Sequence, residues 1–576
     1  MKRILKKTLA VLTASEKRLI LPLFLMMLLG AGLESLGITA VIPLVSGIMA
    51  PEDGAAGDPG GLLATLFSGA DRQKTMTVLI LLLIAVFLLK NLFLLLQSYA
   101  QHRATARVRR RIQNKLFHYY TSRPYPYFLT ADSGEILRTV TVDSDYFASL
   151  LNHVLTFFTD LTVIVILMGV VIAIHPGIAL LLSLVLAAEY VAVLRLIRPF
   201  LRRWGKRYRE YLGRGNSVVI ETLRGVKTVK ITGRERFFEK RYEKEVEGLT
   251  KAKMVERAFQ GASGRLIEAC TVTAVLLYLL VRVHAGGELS SLVPVLSAFV
   301  IAAARVLPCV GGVSNAVSYA GYYEGSLDRV AEAMREMDAE PPEKDGAPVS
   351  FREEIAFEKI AFSYPERDGK VLDGLDLRIP RGGAVGITGV SGEGKTTLLD
   401  LLLGLLSPTD GRILIDGKQA DTAGREWRKL FAVIPQQVFM MAGTIRDNVV
   451  FGADGGDGEK LRRALRIARL EEFVDSLKDG PDTEVGEAGV QLSGGQIQRI
   501  GIARAVYSDA PVIVCDEATS ALDGDTEASL LRAIALLRKE KTLIAVTHRE
   551  AMLGICDEVF RLEGGKLVPA KKNAEE

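Results

Sequence analysis

Two glycine-rich segments in the second half of the chain have residue types that bind phosphate groups. The first, GVSGEGKTT at residues 389–397, lies between the apolar runs AVGIT and LLDLLLGLL. A strand, a GxxxxGK[ST] loop and a helix in this order form a P-loop, whose backbone N–H groups surround phosphates. Lys395 is predicted to contact the β- and γ-phosphates of a nucleotide, and Thr396 to offer its hydroxyl to Mg²⁺. The predicted phosphate-contacting residues of this segment are Gly389, Val390, Ser391, Gly392, Glu393, Gly394, Lys395, Thr396 and Thr397.

The second segment, VQLSGGQIQRIGIARA at residues 490–505, places small residues ahead of a helical apolar pattern. Ser493, Gly494 and Gly495 therefore leave backbone N–H groups free at a predicted helix N-terminus, where anions bind. One domain thus contains two phosphate-binding elements, although a single P-loop is enough to bind a nucleotide.

Acidic residues and a histidine follow two further apolar runs. PVIVCDEATSALD (511–523) predicts a strand that places Asp516 and Glu517 at its carboxyl end, the edge at which α/β sheets bind ligands. Asp516 is suited to hold Mg²⁺ through water, and Glu517 to orient or deprotonate an attacking water. TLIAVTH (542–548) predicts another core strand of the same sheet. A lone histidine usually has no catalytic meaning, but His548 ends this strand and is therefore expected to contact the γ-phosphate.

The first half of the chain has the composition of a membrane protein. The 576 residues have a mean hydropathy of +0.23, which is high for a soluble protein, and a net charge of +5, which does not imply nucleic acid. The four cysteines are scattered and predict neither a disulfide framework nor a metal site. Six apolar segments are long enough to cross a bilayer as helices. They are residues 19–48, 76–100, 151–174, 177–197, 266–284 and 291–313.

Charge in the connecting segments gives the orientation of the spans. Basic residues cluster before the first span, after the second and after the fourth, whereas acidic residues are common between the first and second. The positive-inside rule therefore places both termini and the ATPase half in the cytoplasm. The amphipathic patterns of the long basic segments predict that the spanning helices continue into the cytoplasm.

These patterns divide the chain into five segments. Residues 1–18 are predicted as an amphipathic helix on the membrane surface, and residues 19–335 as an all-α transmembrane domain of six spanning helices. Residues 336–352, which include AEPPEKDGAPVS, are predicted as a linker. Residues 353–570 are predicted as an α/β P-loop ATPase domain, followed by a tail at residues 571–576.

Charged residues within or beside the predicted spans are costly in lipid and therefore informative. Glu34 lies in the first span, Lys90 in the second and Arg305 in the sixth, and Arg265 lies just before the fifth. One interpretation is a structural pair of Glu34 and Lys90, with arginines that extend to the interface. The other is a water-filled cavity with a cationic lining of Lys90, Arg265 and Arg305. The sequence leaves both interpretations open.

In combination, the motifs of the second half resemble those of the nucleotide-binding domain of ABC transporters, and nearly the whole chain resembles the exporter type. LSGGQ at residues 492–496 is similar to the family signature. The resemblance implies that Tyr364 in FSYP stacks on adenine and that Gln436 in VIPQQ binds at the ATP–Mg²⁺ site and links it to the membrane domain. It also implies that TEVGE at residues 483–487 contacts the intracellular loops. Asp523 in SALD would contact ATP and signal across a dimer.

The resemblance also explains the second phosphate-binding element. In this family two ATPase domains meet head to tail, and the signature of one closes over ATP held by the P-loop of the other. Ser493, Gly494, Gly495 and Gln496 would then bind the ATP of a second chain. One complete set of motifs predicts a half-transporter that acts as a homodimer, with a heterodimer possible. ATP and Mg²⁺ are the implied cofactors.

Two residues of the ATPase half depart from the family pattern. Glu393 stands in the P-loop where small residues are commoner, and it is expected to point outward; Ala488 stands where the family often has arginine. Neither departure removes a catalytic group, so hydrolysis is expected.

Two cytoplasmic tips of the membrane domain, residues 125–135 and 222–238, are expected to dock near Gln436 and residues 483–487.

The cargo is the least constrained part of the function. GLESLGITAVIPL (32–44) and the segment after it resemble the flippases of lipid-linked oligosaccharides, in which GLLATLFSG (61–69) would form a short helix against the outer leaflet. A cationic cavity suits a pyrophosphate head group. The expected function is ATP-driven flipping or export of such an anionic lipid across a bacterial inner membrane. The alternative is a multidrug or peptide exporter with the same ATPase. A non-transporting ATPase and an importer fit the spans and the fused architecture less well.

Overall fold

The computed structural model describes residues 2–39, 72–174, 176–284, 292–339, 346, 348–364, 369–453, 457–486, 489–517 and 524–570. The chain divides into two compact units. The first comprises Met1–Arg123 and Thr130–Glu340, and the second comprises Pro124–Leu129 and Pro341–Glu576. The division at Glu340 falls inside the predicted linker, whose first residues belong instead to a helix that runs to Ala339.

The first unit is helical throughout its described residues. Its helices, with one short helix (α4) that lies mostly in the second unit, are α1 (Lys2–Val11), α2 (Ala14–Thr39), α3 (Arg72–Thr121), α4 (Tyr125–Thr130), α5 (Ser133–Arg138), α6 (Ser144–Ile174), α7 (Pro176–Ala192), α8 (Arg198–Arg224), α9 (Val226–Thr232), α10 (Glu235–His284), α11 (Leu292–Tyr322) and α12 (Glu324–Ala339). Two π-helical turns, Thr139–Asp143 and Val193–Ile197, join α5 to α6 and α7 to α8.

Four helical stretches in the described part of the chain are long and apolar enough to cross a membrane. They are Ile80–Thr121, Ser133–Gly169, Ala179–Arg224 and Glu235–Val281. The predicted first and sixth spans run partly over residues outside the described ones. Helices α3 and α10 have 50 residues each, about 75 Å at 1.5 Å per residue, which is more than twice the thickness of a bilayer core. The basic segment after the second predicted span is helical, as the amphipathic pattern predicts.

The surface helix is shorter than the sequence predicts. Helix α1 ends at Val11, and α2 begins at Ala14 rather than at residue 19. Thr13 separates the two helices because it forms a capping box with Glu16: the Thr13 backbone N–H donates to Glu16 Oε2 over 2.9 Å, and the Glu16 backbone N–H donates to Thr13 Oγ1 over 3.4 Å. Only residues 2–11 therefore form the separate amphipathic helix.

The second unit is an α/β domain with two sheets. An antiparallel sheet has the strand order β2-β1-β4-β5, and a mostly parallel sheet has the order β10-β9-β3-β8-β7-β6. The strands are β1 (Glu354–Phe362), β2 (Leu372–Pro380), β3 (Ala384–Thr388), β4 (Asp410–Ile415), β5 (Lys418–Gln419), β6 (Phe431–Ile434), β7 (Val512–Asp516), β8 (Thr542–Val546), β9 (Glu558–Glu563) and β10 (Lys566–Pro569). The helices are α13 (Lys395–Leu402), α14 (Arg425–Arg428), α15 (Ile445–Val450), α16 (Gly458–Ile467), α17 (Glu471–Ser476), α18 (Gly494–Ser508), α19 (Gly524–Arg538) and α20 (Glu550–Ile555).

The central strands of the parallel sheet determine where the polar residues meet. Strands β3, β7 and β8 are almost entirely buried, as expected for a parallel sheet covered on both faces. Strand β8 pairs in parallel with both β3 and β7, and β7 pairs in parallel with β6. Because these four strands run in the same direction, the residues that follow them lie along one edge of the sheet.

Candidate active site

The P-loop follows β3 and surrounds the ammonium group of Lys395. Lys395 is the first residue of α13, and its buried Nζ donates to the carbonyl oxygens of Gly389 over 2.5 Å and Val390 over 3.2 Å. Gly392 and Gly394 have φ values of +87° and +103°, which only glycine adopts without strain. The loop thus holds its lysine by backbone contacts and leaves the Thr396 side chain exposed.

Four polar side chains meet where β6, β7 and β8 end beside this loop. Lys395 Nζ lies 2.9 Å from His548 Nε2. The same His548 nitrogen lies 3.7 Å from Glu517 Oε1, and Gln436 Nε2 donates to Glu517 Oε2 over 3.0 Å. The structure therefore brings together the lysine, glutamate, histidine and glutamine that the sequence assigned to nucleotide chemistry.

Glu517 has an unusual backbone conformation. Its φ is +45°, in the left-handed region that costs a residue with a side chain free energy. Its backbone N–H still donates to the Val546 carbonyl over 2.8 Å, so the pairing of β7 with β8 continues one residue past β7. This conformation fixes the direction of a carboxylate suited to orient water.

The side chains around Asp516 fit a magnesium ion. Burial and the neighbouring Glu517 carboxylate raise the pKa of Asp516, while Lys395 opposes this shift. A divalent cation would offset the excess negative charge, and the carboxylate of Asp516, the hydroxyl of Thr396 and the amide oxygen of Gln436 are the hard ligands that Mg²⁺ prefers. The described residues contain no cluster of three histidine, cysteine or acidic side chains that could hold a metal.

Asp400 is a further acidic residue of this region that sequence reasoning missed. It lies in α13 within the apolar run LLDLLLGLL, where a single acid among leucines was the available signal. Burial and the charge of Asp516 raise the pKa of Asp400 to about 6. Asp400 thus adds a third carboxyl group to the acids near the P-loop.

We expect Asp400→Asn to stabilise the protein at neutral pH. The raised pKa means that the folded state binds a proton more tightly than the unfolded state, whose aspartate pKa is near 3.8. The free energy of unfolding therefore falls as pH rises from about 4 to about 6, and the destabilisation is complete above that range. In EDTA and without nucleotide, Asp400→Asn should unfold at a higher temperature at about pH 7.5, and this gain should shrink towards about pH 5. Asp421→Asn, at an exposed position, is the control; an equal gain at both pH values would contradict this explanation.

Glu393 does not point outward, contrary to the expectation from the sequence. Its carboxylate Oε2 accepts a hydrogen bond from the Val390 backbone N–H over 3.0 Å, and its own N–H donates to the Val390 carbonyl over 3.4 Å. The side chain turns back because the first turn of the P-loop offers it a free donor. The turn is stabilised, but a negative charge is held close to the phosphate site.

Removal of that charge is expected to strengthen ATP binding. Glu393→Gln keeps an oxygen that can accept from Val390, so the KM for ATP should fall about threefold while kcat stays unchanged. Steady-state ATPase kinetics of wild type and variant measure both constants. Glu393→Ala, which removes the hydrogen bond as well, shows what the turn itself contributes. An unchanged KM in Glu393→Gln would show that the charge has no effect on ATP binding.

Tyr364 and the tip segment of α4 lie on the P-loop side of the second unit. The Tyr364 hydroxyl is 3.1 Å from Thr397 Oγ1, and its ring packs edge-on against Phe362. Burial and the nearby Asp400 and Tyr364 raise the pKa of Tyr125 in α4. The charge of Asp400 therefore acts on Tyr125, and docking of the tip near Gln436 and residues 483–487 stays a prediction. Helix α9, in the other predicted tip, exposes Val226 and Ile231.

The signature segment caps α18 and is exposed. Ser493 and Gln496 form a capping box: the Ser493 N–H donates to Gln496 Oε1 over 2.8 Å, and the Gln496 N–H donates to Ser493 Oγ over 3.2 Å. Gly494 is exposed, and within the described part of the chain a Cβ added there would meet no atom within 4 Å. The buried Gln498 donates to the Pro435 carbonyl over 3.2 Å, so α18 is joined to the segment that carries Gln436.

The other predicted residues lie in the TEVGE segment and in or beside the predicted spans. In TEVGE, the Thr483 carbonyl accepts from the N–H of Ile445, the first residue of α15, and the Val485 N–H donates to the Gly443 carbonyl in the loop before it. Residues 487, 488 and 523 lie outside the described part of the chain. Lys90 is buried with its Nζ 4.6 Å from the Phe87 ring centroid. Arg265 is exposed on α10; Arg305 belongs to α11, but its side chain lies outside the described ones.

Two family models match separate parts of the chain. The model described as the ABC transporter transmembrane region matches residues 59–302. The model described as ABC transporter matches residues 372–520, which contain the P-loop, Gln436, the signature and Glu517. The chain belongs to the ABC transporter family. This ABC transporter combines the membrane and ATPase regions in one chain and couples ATP hydrolysis to transport.

Comparisons with individual proteins agree with this assignment. The transporter is 27% identical over 516 residues to the ATP-dependent lipid A-core flippase of Chromobacterium violaceum, over 88% of this chain and 87% of that one. It is 38% identical over 288 residues to the mycobactin import ATP-binding/permease protein IrtB of Mycolicibacterium smegmatis, over 49% and 48% of the chains. The solved structure of a bacterial Atm1-family ABC exporter with ATP bound has a TM-score of 0.75 and 24% identity, over 96% of this chain and 95% of that chain. The last similarity shows that the fold is of the exporter type.

Proposed function

We propose that two copies of this ABC transporter form an ATP-driven flippase that moves an anionic lipid, most simply a lipid-linked oligosaccharide, from the cytoplasmic leaflet of a bacterial inner membrane. The ATP-hydrolysis part of this proposal is supported by one observation. Beside the P-loop lies the cluster of Lys395, Glu517, His548 and Gln436. These groups are suited to bind phosphates, to hold the attacking water and to respond to the γ-phosphate.

The exposed signature segment supports the dimer. The capping box uses the N–H groups of Ser493 and Gln496, and the open space around Gly494 leaves the N–H groups of Gly494 and Gly495 accessible to an anion. A second copy would supply that anion as ATP in its own P-loop. Since both copies have the full set of motifs, the proposed dimer contains two equivalent sites.

The named relatives support a lipid cargo. The C. violaceum protein, which aligns over most of both chains, is named a lipid A-core flippase. Of the proposed cationic residues, Arg265 is exposed and can meet a pyrophosphate group, whereas Lys90 is buried against Phe87 and would have to move to do so. Arg305 remains a candidate on α11. A drug or peptide exporter is the alternative cargo class, and the relative named for import makes the direction of transport an outcome to be measured.

ATPase and flipping assays in reconstituted vesicles test this function. The wild type should hydrolyse ATP faster with a polyprenyl-pyrophosphate oligosaccharide and should move a labelled analogue between leaflets only with ATP. Arg305→Ala and Arg265→Gln should reduce this stimulation but keep basal hydrolysis. If apolar drugs or peptides stimulate hydrolysis and the glycolipid does not, the proposed lipid cargo is wrong, while the assignment as an ATP-driven transporter stands.

A further inference from the structure

A cavity of about 260 Å³ lies in the first unit between α2, α3, α6 and the short connection that precedes α2. None of the proposed cargo residues lines it. One side of the cavity is apolar and the other is cationic. Its principal lining residues are Leu12, Leu19, Leu23, Leu155, Arg107 and Arg110. Both arginines are exposed side chains of α3. The cavity is therefore amphipathic, with two positive charges beside a leucine wall.

The neighbouring acids are already paired with other arginines. Glu16, which also lines the cavity, accepts two hydrogen bonds from Arg111, at 2.7 Å and 2.9 Å. Asp145 pairs with Arg109 at 2.9 Å. Among the residues that the structure describes, no carboxylate lies within ion-pair distance of Arg107 or Arg110. These two cations are thus available to an anion from outside the chain.

The surroundings indicate which anion fits. Arg111 Nη2 also donates to the Val11 carbonyl over 3.0 Å, so the end of the surface helix α1 is attached to α3 beside the cavity. On α2, Leu21 and Leu25 are exposed by 63% and 52%, as expected for a face in contact with lipid. An occupant that meets both sides has a phosphate next to an acyl chain. Basic pockets between helices on the cytoplasmic side of a membrane bind such head groups.

We propose that this cavity binds an anionic phospholipid of the cytoplasmic leaflet, with its phosphate at Arg107 and Arg110 and an acyl chain against the leucine wall. The guanidinium groups form charge-assisted hydrogen bonds with phosphate oxygens. The bound lipid joins α1 and α2 to α3 and α6 at the membrane surface. This site is independent of the identity of the cargo.

Lipid titration of the full-length protein in detergent, followed by native mass spectrometry, tests the site. The wild type should bind phosphatidylglycerol about tenfold more tightly than phosphatidylcholine with the same acyl chains. Arg107→Gln combined with Arg110→Gln should lose this preference. The matched control, Arg103→Gln combined with Arg203→Gln, removes two exposed cations that do not line the cavity and should keep it.

Several results would overturn the proposal. They are equal binding of the two lipids by the wild type, loss of the preference in the control, or displacement of the lipid by glycerol 3-phosphate at equal concentration. The last result would indicate a site for free anions. If the double variant does not fold, a photoactivatable phosphatidylglycerol decides the question on the wild type. It should label peptides that contain residues 12–23 and 151–155, and labelling elsewhere would reject the site.

Discussion

Glu517→Gln is expected to lower ATP hydrolysis by a factor on the order of 10²–10⁴ while ATP still binds. Glu517 is held by its backbone pairing to Val546 and by the amide of Gln436, so its carboxylate has a fixed direction beside the P-loop. Glutamine has nearly the same shape and can keep these contacts. It cannot accept a proton from water, so the chemical step should fail after binding. Phosphate release measures turnover, and retention of labelled ATP measures binding.

His548→Ala and Lys395→Ala separate this role from those of the neighbouring side chains. Lys395→Ala should weaken ATP binding itself, because the ammonium group is predicted to contact the phosphates. His548→Ala should lower turnover but leave Glu517 attached to Gln436. If Glu517→Gln hydrolyses ATP at a rate near that of the wild type, the base or water-orienting group lies elsewhere.

Gly494→Asp is expected to lower ATP turnover at least 10²-fold without unfolding the chain or preventing ATP binding to its own P-loop. A Cβ at Gly494 meets no atom of the described residues within 4 Å, so the substitution should be tolerated in the folded monomer. Its carboxylate would face the γ-phosphate bound by the second copy and repel it. Turnover, thermal unfolding and the binding of a fluorescent ATP analogue measure the three effects.

Gly554→Asp is a matched control, since this glycine also has open space and lies in α20, away from the signature. The control should keep its turnover. A Gly494→Asp variant that hydrolyses ATP normally would show that the signature of this chain does not close over nucleotide.

The residues of the hydrolysis site could be predicted because each follows a pattern that fixes its position. The short apolar runs before residues 389, 516 and 548 predict buried strands, and their parallel pairing in the structure brings the polar residues to one edge. Gly392 and Gly394 likewise stand where the loop needs positive φ values. Local sequence and global fold agree at these positions, and the predicted chemistry follows from both.

Other features depended on contacts that a linear pattern does not encode. The orientation of Glu393 is decided by the N–H of Val390, and the raised pKa of Asp400 comes first from its burial in the fold and then from the charge of Asp516. The sequence left Lys90 open between a structural role and a cavity lining, and only the structure shows that it is buried with its Nζ over the Phe87 ring. The break between α1 and α2 is set by the capping box of Thr13 and Glu16. This short motif was missed in the sequence because a long apolar run follows it.

The central claim is that each ATP site is shared between two copies, and purified heterodimers of differently tagged chains test it most directly. A Lys395→Ala chain paired with a Gly494→Asp chain contains one intact shared site, because the second chain keeps its P-loop and the first keeps its signature. A wild-type chain paired with a chain carrying both substitutions contains none. We predict about half of the wild-type ATPase rate in the first heterodimer and almost none in the second. The reverse pattern, an inactive first heterodimer and an active second one, would show that each chain completes its own site and would contradict this account.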